Sequence, residues 1–191
     1  ATVVRTDLAT TVLTGATLGY APTDPVVNHL PGTYTQLPQV GDVIATGQVL
    51  YRVDNQPVVL MTGTTPAWRP FAAGMTDGPD VAELQSNLIA LGDAVRLFSR
   101  ASGHFDVLTV DAIERWQRAE AQPVTGQIAL GQVVFLAASV LVGPESVAIG
   151  QAASPGDLPY QVTTTARTVT VPLNPNLPPV SVGEAVSIVL P

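Results

Sequence analysis

The sequence predicts a mainly β chain carrying an α insert, and three observations lead to that class. The 191 residues include 16 glycines and 17 prolines together with many valines and threonines, a composition of strands and turns and not of a helical bundle. A segment with two glycines six residues apart occurs twice, at residues 40–53 and 149–162, with Gly41/Gly150, Gly47/Gly156, Tyr51/Tyr160 and Val53/Val162 all 109 positions apart. Between the two copies, after Gly78, the spacing of apolar residues changes from two to about 3.6, the period of a helix.

The composition also limits what the chain can do. With 46% hydrophobic and 12% charged residues it can bury about two thirds of its extended surface in one or two compact units. Net charge is −7, all eight basic residues are arginine and there is no lysine, so the basic footprint of a nucleic-acid binder is missing. No apolar run of about 18 residues and no basic segment ahead of an apolar one is present, so membrane attachment is expected only through an anchor outside this stretch. The absence of cysteine excludes disulfides and thiolate metal sites without assigning a compartment.

In chain order, residues 1–20 read as one or two strands, with Val3, Val4, Thr10, Thr11, Val12 and Thr14 favouring extended backbone and Gly15 and Gly19 breaking it. A proline-containing turn follows at residues 21–25. Each two-glycine copy reads as two strands joined by a tight turn whose glycines adopt positive φ, and each needs the other copy to cover its apolar side. Residues 57–61 (Pro-Val-Val-Leu-Met) read as a buried strand. The breaker-rich text of residues 63–78 marks a domain boundary, with Trp68 as a plug at the junction.

A first helix is expected to start near residues 77–80, with Pro79 in its first turn, Asp80 and Glu83 facing the positive end of the helix dipole, and Gly92 as its stop. Val81, Leu84, Leu88 and Leu91 then share one face. A loop over residues 93–103 leads to a second helix with Thr109 as N-cap and Ala112, Ile113, Trp116 and Ala119 on its apolar face, which makes Trp116 a core residue. Residues 123–126 end that helix, and residues 129–137 read as a shorter third one.

Asp80-Val81, Leu84-Gln85, Leu88 and Leu91-Gly92, then Gly103-x-Phe105, Thr109, Ala112, Trp116-Gln117 and Val124-Thr125-Gly126 resemble the peptidoglycan-binding-like domain, a small three-helix module, over roughly 60 residues. The loop at residues 93–102 departs from the shorter polar turn usual in that family. The paired motifs around Gly41/Gly47 and Gly150/Gly156 resemble the lipoyl-like barrel-sandwich hybrid. Residues 168–191 resemble the β-barrel segment that follows it in membrane-fusion proteins, the periplasmic adaptors of efflux and secretion systems. The closest form of that family is the actinobacterial type in which the peptidoglycan-binding-like domain separates the two lipoyl-like halves.

The resemblance implies a partial β-barrel (residues 1–22 and 166–191), a lipoyl-like barrel-sandwich hybrid (23–66 and 137–165) and a peptidoglycan-binding-like helical domain (67–136). It implies a non-enzymatic extracytoplasmic subunit of an ABC-type export or efflux system in the cell envelope. Its partners would be an ABC transporter permease, peptidoglycan and, as an option, further copies of itself. The insert lacks the sustained heptads of a coiled-coil hairpin, so it is expected to contact the wall and not an outer-membrane duct. Two alternatives stay open: a non-catalytic wall-binding region of a larger cell-wall enzyme, and an adaptor whose insert is purely structural.

No cofactor is expected. A lipoyl or biotinyl carrier and a phosphate loop of the Walker type both need a lysine, and the chain has none. His29 and His104 are the only histidines and fall in different expected domains, against a metal centre. No Gly-x-Ser-x-Gly elbow marks a nucleophile. The candidate peptidoglycan contacts are Arg96, Phe98, Arg100 and His104, since the forked donors of the two arginines suit the carboxylates of stem peptides; a solvated loop is the alternative.

Overall fold

The computed structural model describes residues 14–172, 182–183 and 185–189. The chain divides into two units, residues 20–166 and residues 1–19 with 167–191. The elements are β1 (Thr17–Pro22), β2 (Gly32–Gln36), β3 (Val43–Ile44), β4 (Val49–Val53), β5 (Gln56–Thr62), α1 (Pro79–Leu91), α2 (Val107–Ala119), β6 (Val133–Leu136), β7 (Val140–Glu145), β8 (Ala152–Ala153) and β9 (Tyr160–Thr170). They form a four-stranded sheet in the order β1-β9-β7-β3 and a five-stranded sheet in the order β6-β5-β4-β2-β8. The described chain is therefore mainly β, with two helices inserted between β5 and β6.

Of the one or two strands expected over residues 1–20, residues 1–13 lie outside the described residues, residues 14–16 have no regular secondary structure and β1 begins at Thr17; residues 173–181, 184 and 190–191 of the expected barrel segment also lie outside them. Residues 182–183 form a turn and 185–189 have no regular secondary structure.

Residues 129–137 are not a third helix. Ala129-Leu-Gly-Gln132 is a turn, and Val133–Leu136 is a strand parallel to β5, with Val59 opposite Val133 and Thr62 opposite Leu136. The signal for this was Gly131, whose φ of 92° suits a turn and not a helix interior.

The same turn recurs at 39–42, 45–48, 129–132, 148–151 and 154–157. In each, the fourth residue's N–H donates to the first residue's carbonyl (Asp42 to Gln39, Gln48 to Ala45, Gln132 to Ala129, Gln151 to Ala148, Asp157 to Ser154). The third residue is a glycine with φ between 87° and 98°, as a type II turn requires. The fourth residue's side-chain oxygen reaches back to the first residue's N–H, at 2.7 to 3.1 Å. One Asp or Gln thus closes each turn from both sides.

These turns change the reading of the repeat. β3 and β4 are not a hairpin: β3 pairs with β7 while β4 pairs with β2 and β5. The glycines of one copy sit in two successive turns that send the chain from one sheet to the other. The halves then interlock. Gly41 N donates to Val142 O at 2.8 Å and Val142 N to Asp42 O at 2.9 Å; reciprocally, Gly150 N donates to Tyr34 O at 2.8 Å and Tyr34 N to Gln151 O at 3.0 Å. Each copy's turn is thus held by a strand of the other half.

The repeat-equivalent Tyr51 and Tyr160 meet edge to face in the β core, 6.4 Å between centroids, with Tyr34 5.9 Å from Tyr51. Fully buried Asn28 binds both halves. Its Nδ2 donates to Leu30 O and Ser154 O, its Oδ1 accepts from Leu30 N and the Tyr51 hydroxyl, and its backbone pairs with Gly156 and Asp157. Burial raises the hydroxyl pKa of Tyr51 and Tyr160 far above its ordinary value, so both stay protonated and able to donate.

β5 serves two cores. Val58 and Leu60 face the β core with Tyr34, Tyr51 and Val140. Val59 and Met61 point the other way, into a cluster with Phe71, Val81, Leu84, Leu88, Ile113 and Trp116. β6 alternates likewise, Val133 and Phe135 facing the helices and Leu136 the β core. The helical insert is the crossover that parallel strands require, packed on the back of the sheet whose strands it joins.

Candidate functional site

The helical insert is built from two equivalent clamps. Gln85 of α1 is buried; its amide Nε2 donates to His104 O and Thr109 Oγ1 at 2.9 Å, and its Oε1 accepts from Ser102 N (2.7 Å) and Gly103 N (3.0 Å). Gln117 of α2 does the same for the loop that follows α2. Nε2 donates to Thr125 Oγ1 (3.1 Å) and Gln127 O (2.7 Å), and Oε1 accepts from Thr125 N (2.8 Å) and Gly126 N (3.0 Å). Ser102-Gly-His-Phe105 and Thr125-Gly-Gln-Ile128 are therefore matching turns, with Gly103 and Gly126 at positive φ and Phe105 and Ile128 in the core. In sequence the signal was an apolar residue followed by Gln, then Ser/Thr-Gly-x-apolar, occurring twice.

The N-cap of α2 is Asp106, not Thr109. Asp106 Oδ1 accepts from Thr109 N and Thr109 Oγ1, both at 2.9 Å, and these bonds, with the nearby His104, outweigh burial and lower its carboxyl pKa. α1 begins after Gly78 with no side-chain cap, has Pro79 in its first turn and stops at Gly92, φ 92°.

The acids of α1 tie down the loop before it. Glu83 Oε1 accepts from Thr64 N at 2.9 Å and Thr65 N at 3.1 Å. Asn87, buried, exchanges hydrogen bonds with the backbone of Thr62 at the end of β5. Asp80 is fully buried and takes a fork from Arg69, Nε to Oδ2 at 2.7 Å and Nη2 to Oδ1 at 2.8 Å. Burial would raise the Asp80 carboxyl, but the bonds from Arg69 and the Val81 N–H win and hold it below the ordinary value. A Cβ at Gly78 would overlap both Asp80 and Arg69, so that position needs glycine for close approach.

The four residues singled out from the sequence fall on the loop between the helices. Arg96 and Arg100 are exposed, and among the described residues neither pairs with a carboxylate. Arg96 has φ 63°, a conformation disfavoured for a side chain. Its loop is held by Ala94, buried in the helical core, by Leu97 and Phe98 packed against that core, and by Arg115 Nη1 donating to Val95 O at 2.7 Å. Phe98 is thus half-buried, an anchor for the loop.

His104 is exposed on the clamped turn, its Nδ1 2.7 Å from Asp77 Oδ1. That hydrogen bond and the charge of Asp77 raise its pKa. Arg96 and Arg100 make no hydrogen bond to His104 among the described residues. Trp68, expected to plug a junction, is 52% exposed with the Arg69 guanidinium carbon 5.2 Å from its ring centre.

A cleft of about 530 Å³ lies between the glycine turns and the end of α2, lined by Gln36, Asp42, Gln48 and Glu120 among others. Its lining holds no histidine or cation, and the oxygens of Asp42 and Gln48 are engaged in closing their own turns. Among the described residues no cluster of three His, Cys, Asp or Glu could hold a metal ion, and no helix is long and apolar enough to cross a membrane.

Residues 77–128 match the family model described as putative peptidoglycan binding domain, the segment that starts at the Asp77–His104 pair and ends at the second clamped turn. No curated protein and no solved structure matches the chain.

Proposed function

We propose that the chain is the extracytoplasmic adaptor part of an ABC-type export or efflux system, without enzymatic activity of its own, whose helical insert holds it to peptidoglycan. A peptidoglycan-binding domain is present at residues 77–128, which implies a cell-wall location, and this observation carries the wall-binding half of the reading. The adaptor half is supported by the interlocked two-glycine halves around the three tyrosines, the arrangement expected of a lipoyl-like hybrid. The permease and further copies of the chain are the partners this reading assigns.

Within the insert, Arg96 and Arg100 take the carboxylates of stem peptides. They are exposed on a loop whose backbone is fixed by buried neighbours, they have no carboxylate partner among the described residues, and Arg96 is held at positive φ, a cost of about 1–3 kcal/mol of the kind found at binding sites. His104, protonated more readily because of Asp77, adds a donor on the same module.

The test is co-sedimentation with purified sacculi. The intact protein is expected in the pellet, and an R96A/R100A double variant at several-fold lower occupancy with an unchanged unfolding midpoint. Equal recovery of the two overturns the arginine assignment, and no recovery of the intact protein overturns wall binding. For the adaptor role, crosslinking of the full-length protein in its native envelope is expected to yield a permease of the ABC class; crosslinks to wall material alone defeat it.

A further inference from the structure

We infer that Trp68 is a stacking platform for a sugar ring of the glycan strand, in a subsite that lies outside the matched segment and is supplied by the loop leading into it. The inference rests on the wall-binding reading and adds the chemical class that this part of the surface takes. A single exposed apolar side chain is ordinary on a protein surface, and Trp68 differs from that case in three ways.

First, the loop carrying it is pinned on both sides. Thr64 and Thr65 are held by Glu83, Arg69 by buried Asp80, and Phe71 by a two-way backbone pairing with Ile128, 2.9 and 3.0 Å. Secondly, the indole is oriented by a cation that cannot swing away. Arg69 is forked onto Asp80 and also donates to Thr76 Oγ1 at 2.6 Å, so the guanidinium beside Trp68 is fixed, while 52% of Trp68 stays open. The backbone that carries the ring and the cation beside it are thus set before binding, which favours affinity.

Thirdly, polar groups follow the ring: the Arg69 guanidinium beside it donates to Thr76 Oγ1, and Asp77, next in the chain, is hydrogen-bonded to His104. A pyranose has an apolar C–H face and a rim of hydroxyl and amide groups, and it needs this combination of a flat aromatic beside donors and acceptors. In the inferred subsite the C–H face lies on Trp68 and the rim groups are taken by the polar side chains that flank it, Arg69 and Thr76. A flexible anionic peptide would find two carboxylates, Asp77 and Asp106, beside the histidine, and belongs at Arg96 and Arg100.

The test uses the whole protein with two probes, intact sacculi and glycan strands stripped of stem peptides by an amidase. Trp116 is buried, so a shift in tryptophan emission on adding stripped glycan reports Trp68. The expected result is a saturable blue shift in the wild type, about tenfold weaker binding of stripped glycan by W68A, corresponding to about 1.4 kcal/mol, and most of the affinity retained by W68F. Unchanged affinity in W68A, or glycan binding with no change in emission, overturns the platform and leaves wall binding standing. Binding to intact sacculi but not to stripped glycan does the same. Failure to bind either probe removes the wall-binding reading itself.

Discussion

Replacing residues 64–131 with a flexible linker is expected to unfold the β body, because the insert covers one face of the strands it connects. Val59 and Met61 are fully buried against the helices and Val133 and Phe135 nearly so. Exposing four such side chains costs about 1.5–3 kcal/mol each, roughly 6–12 kcal/mol together. A domain of this kind has about 5–15 kcal/mol in total. The linker need not be the cause of failure: Val133 lies opposite Val59, three residues back from Thr62, about 10 Å at strand rise, and a linker of about fifteen residues makes a parallel crossover without strain. Urea unfolding followed by circular dichroism and by tyrosine fluorescence is the assay. The deletion is expected to show no cooperative transition, and a cooperative transition at the intact protein's midpoint would refute the shared-strand reasoning. For the same reason wall binding is tested with point variants and not by removing the insert.

Two further outcomes follow from the clamps and the buried charges. Q85L and Q117L should each lower stability by about 2–4 kcal/mol, since each strands two backbone N–H groups and a carbonyl at about 1–3 kcal/mol for those that stay buried; amide exchange should rise at Gly103 in the first and Gly126 in the second, and a rise at both turns in either variant would deny that the clamps act separately. With pH, Asp80 and Asp106 have folded pKa values below their unfolded ones, so the stability they give is present above about pH 4 and is lost as pH falls through the folded values. The His104 pKa is raised, so its contribution is present below about pH 6.5 and is lost as pH rises through the folded value. Thermal melts should therefore drop steeply in acid, D106N should flatten that limb, and a D106N melt parallel to the wild type's in acid would contradict the assignment.

What the sequence made legible is what depends on local spacing. The α1 face of Val81, Leu84 and Leu88, the Gly92 stop and the core position of Trp116 follow from period and glycine alone, though Leu91, expected on the same face, is 37% exposed; the buried strand read at residues 57–61 lies within β5. What it hid depends on which distant backbone a polar side chain meets. The two-glycine segment looks like a hairpin because hairpins also need positive φ, and only the partner strand shows that its turns carry the chain between sheets. Asp80 and Glu83 look like helix-dipole residues, yet their partners are Arg69, Thr64 and Thr65. Residues 129–137 are apolar enough for a helix, and the decisive sign was the similarity of Ala129-Leu-Gly-Gln132 to Ala45-Thr-Gly-Gln48.

The shared strand also bears on how a wall attachment would act. A binding module on a flexible linker restrains only distance, because the linker takes up any rotation. Here α1 is fixed to the end of β5 by Asn87 and Thr62, and its apolar face rests on Val59 and Met61. The next residues along β5, Val58 and Leu60, touch the tyrosine core where the two halves interlock. Packed interiors transmit strain and do not absorb it. A load applied to the insert would therefore pass into the β body through β5 and β6, and a wall attachment there would fix the orientation of that body as well as its position. An insert built this way would hold the β body at a set angle to whatever it binds, which a tethered module could not do.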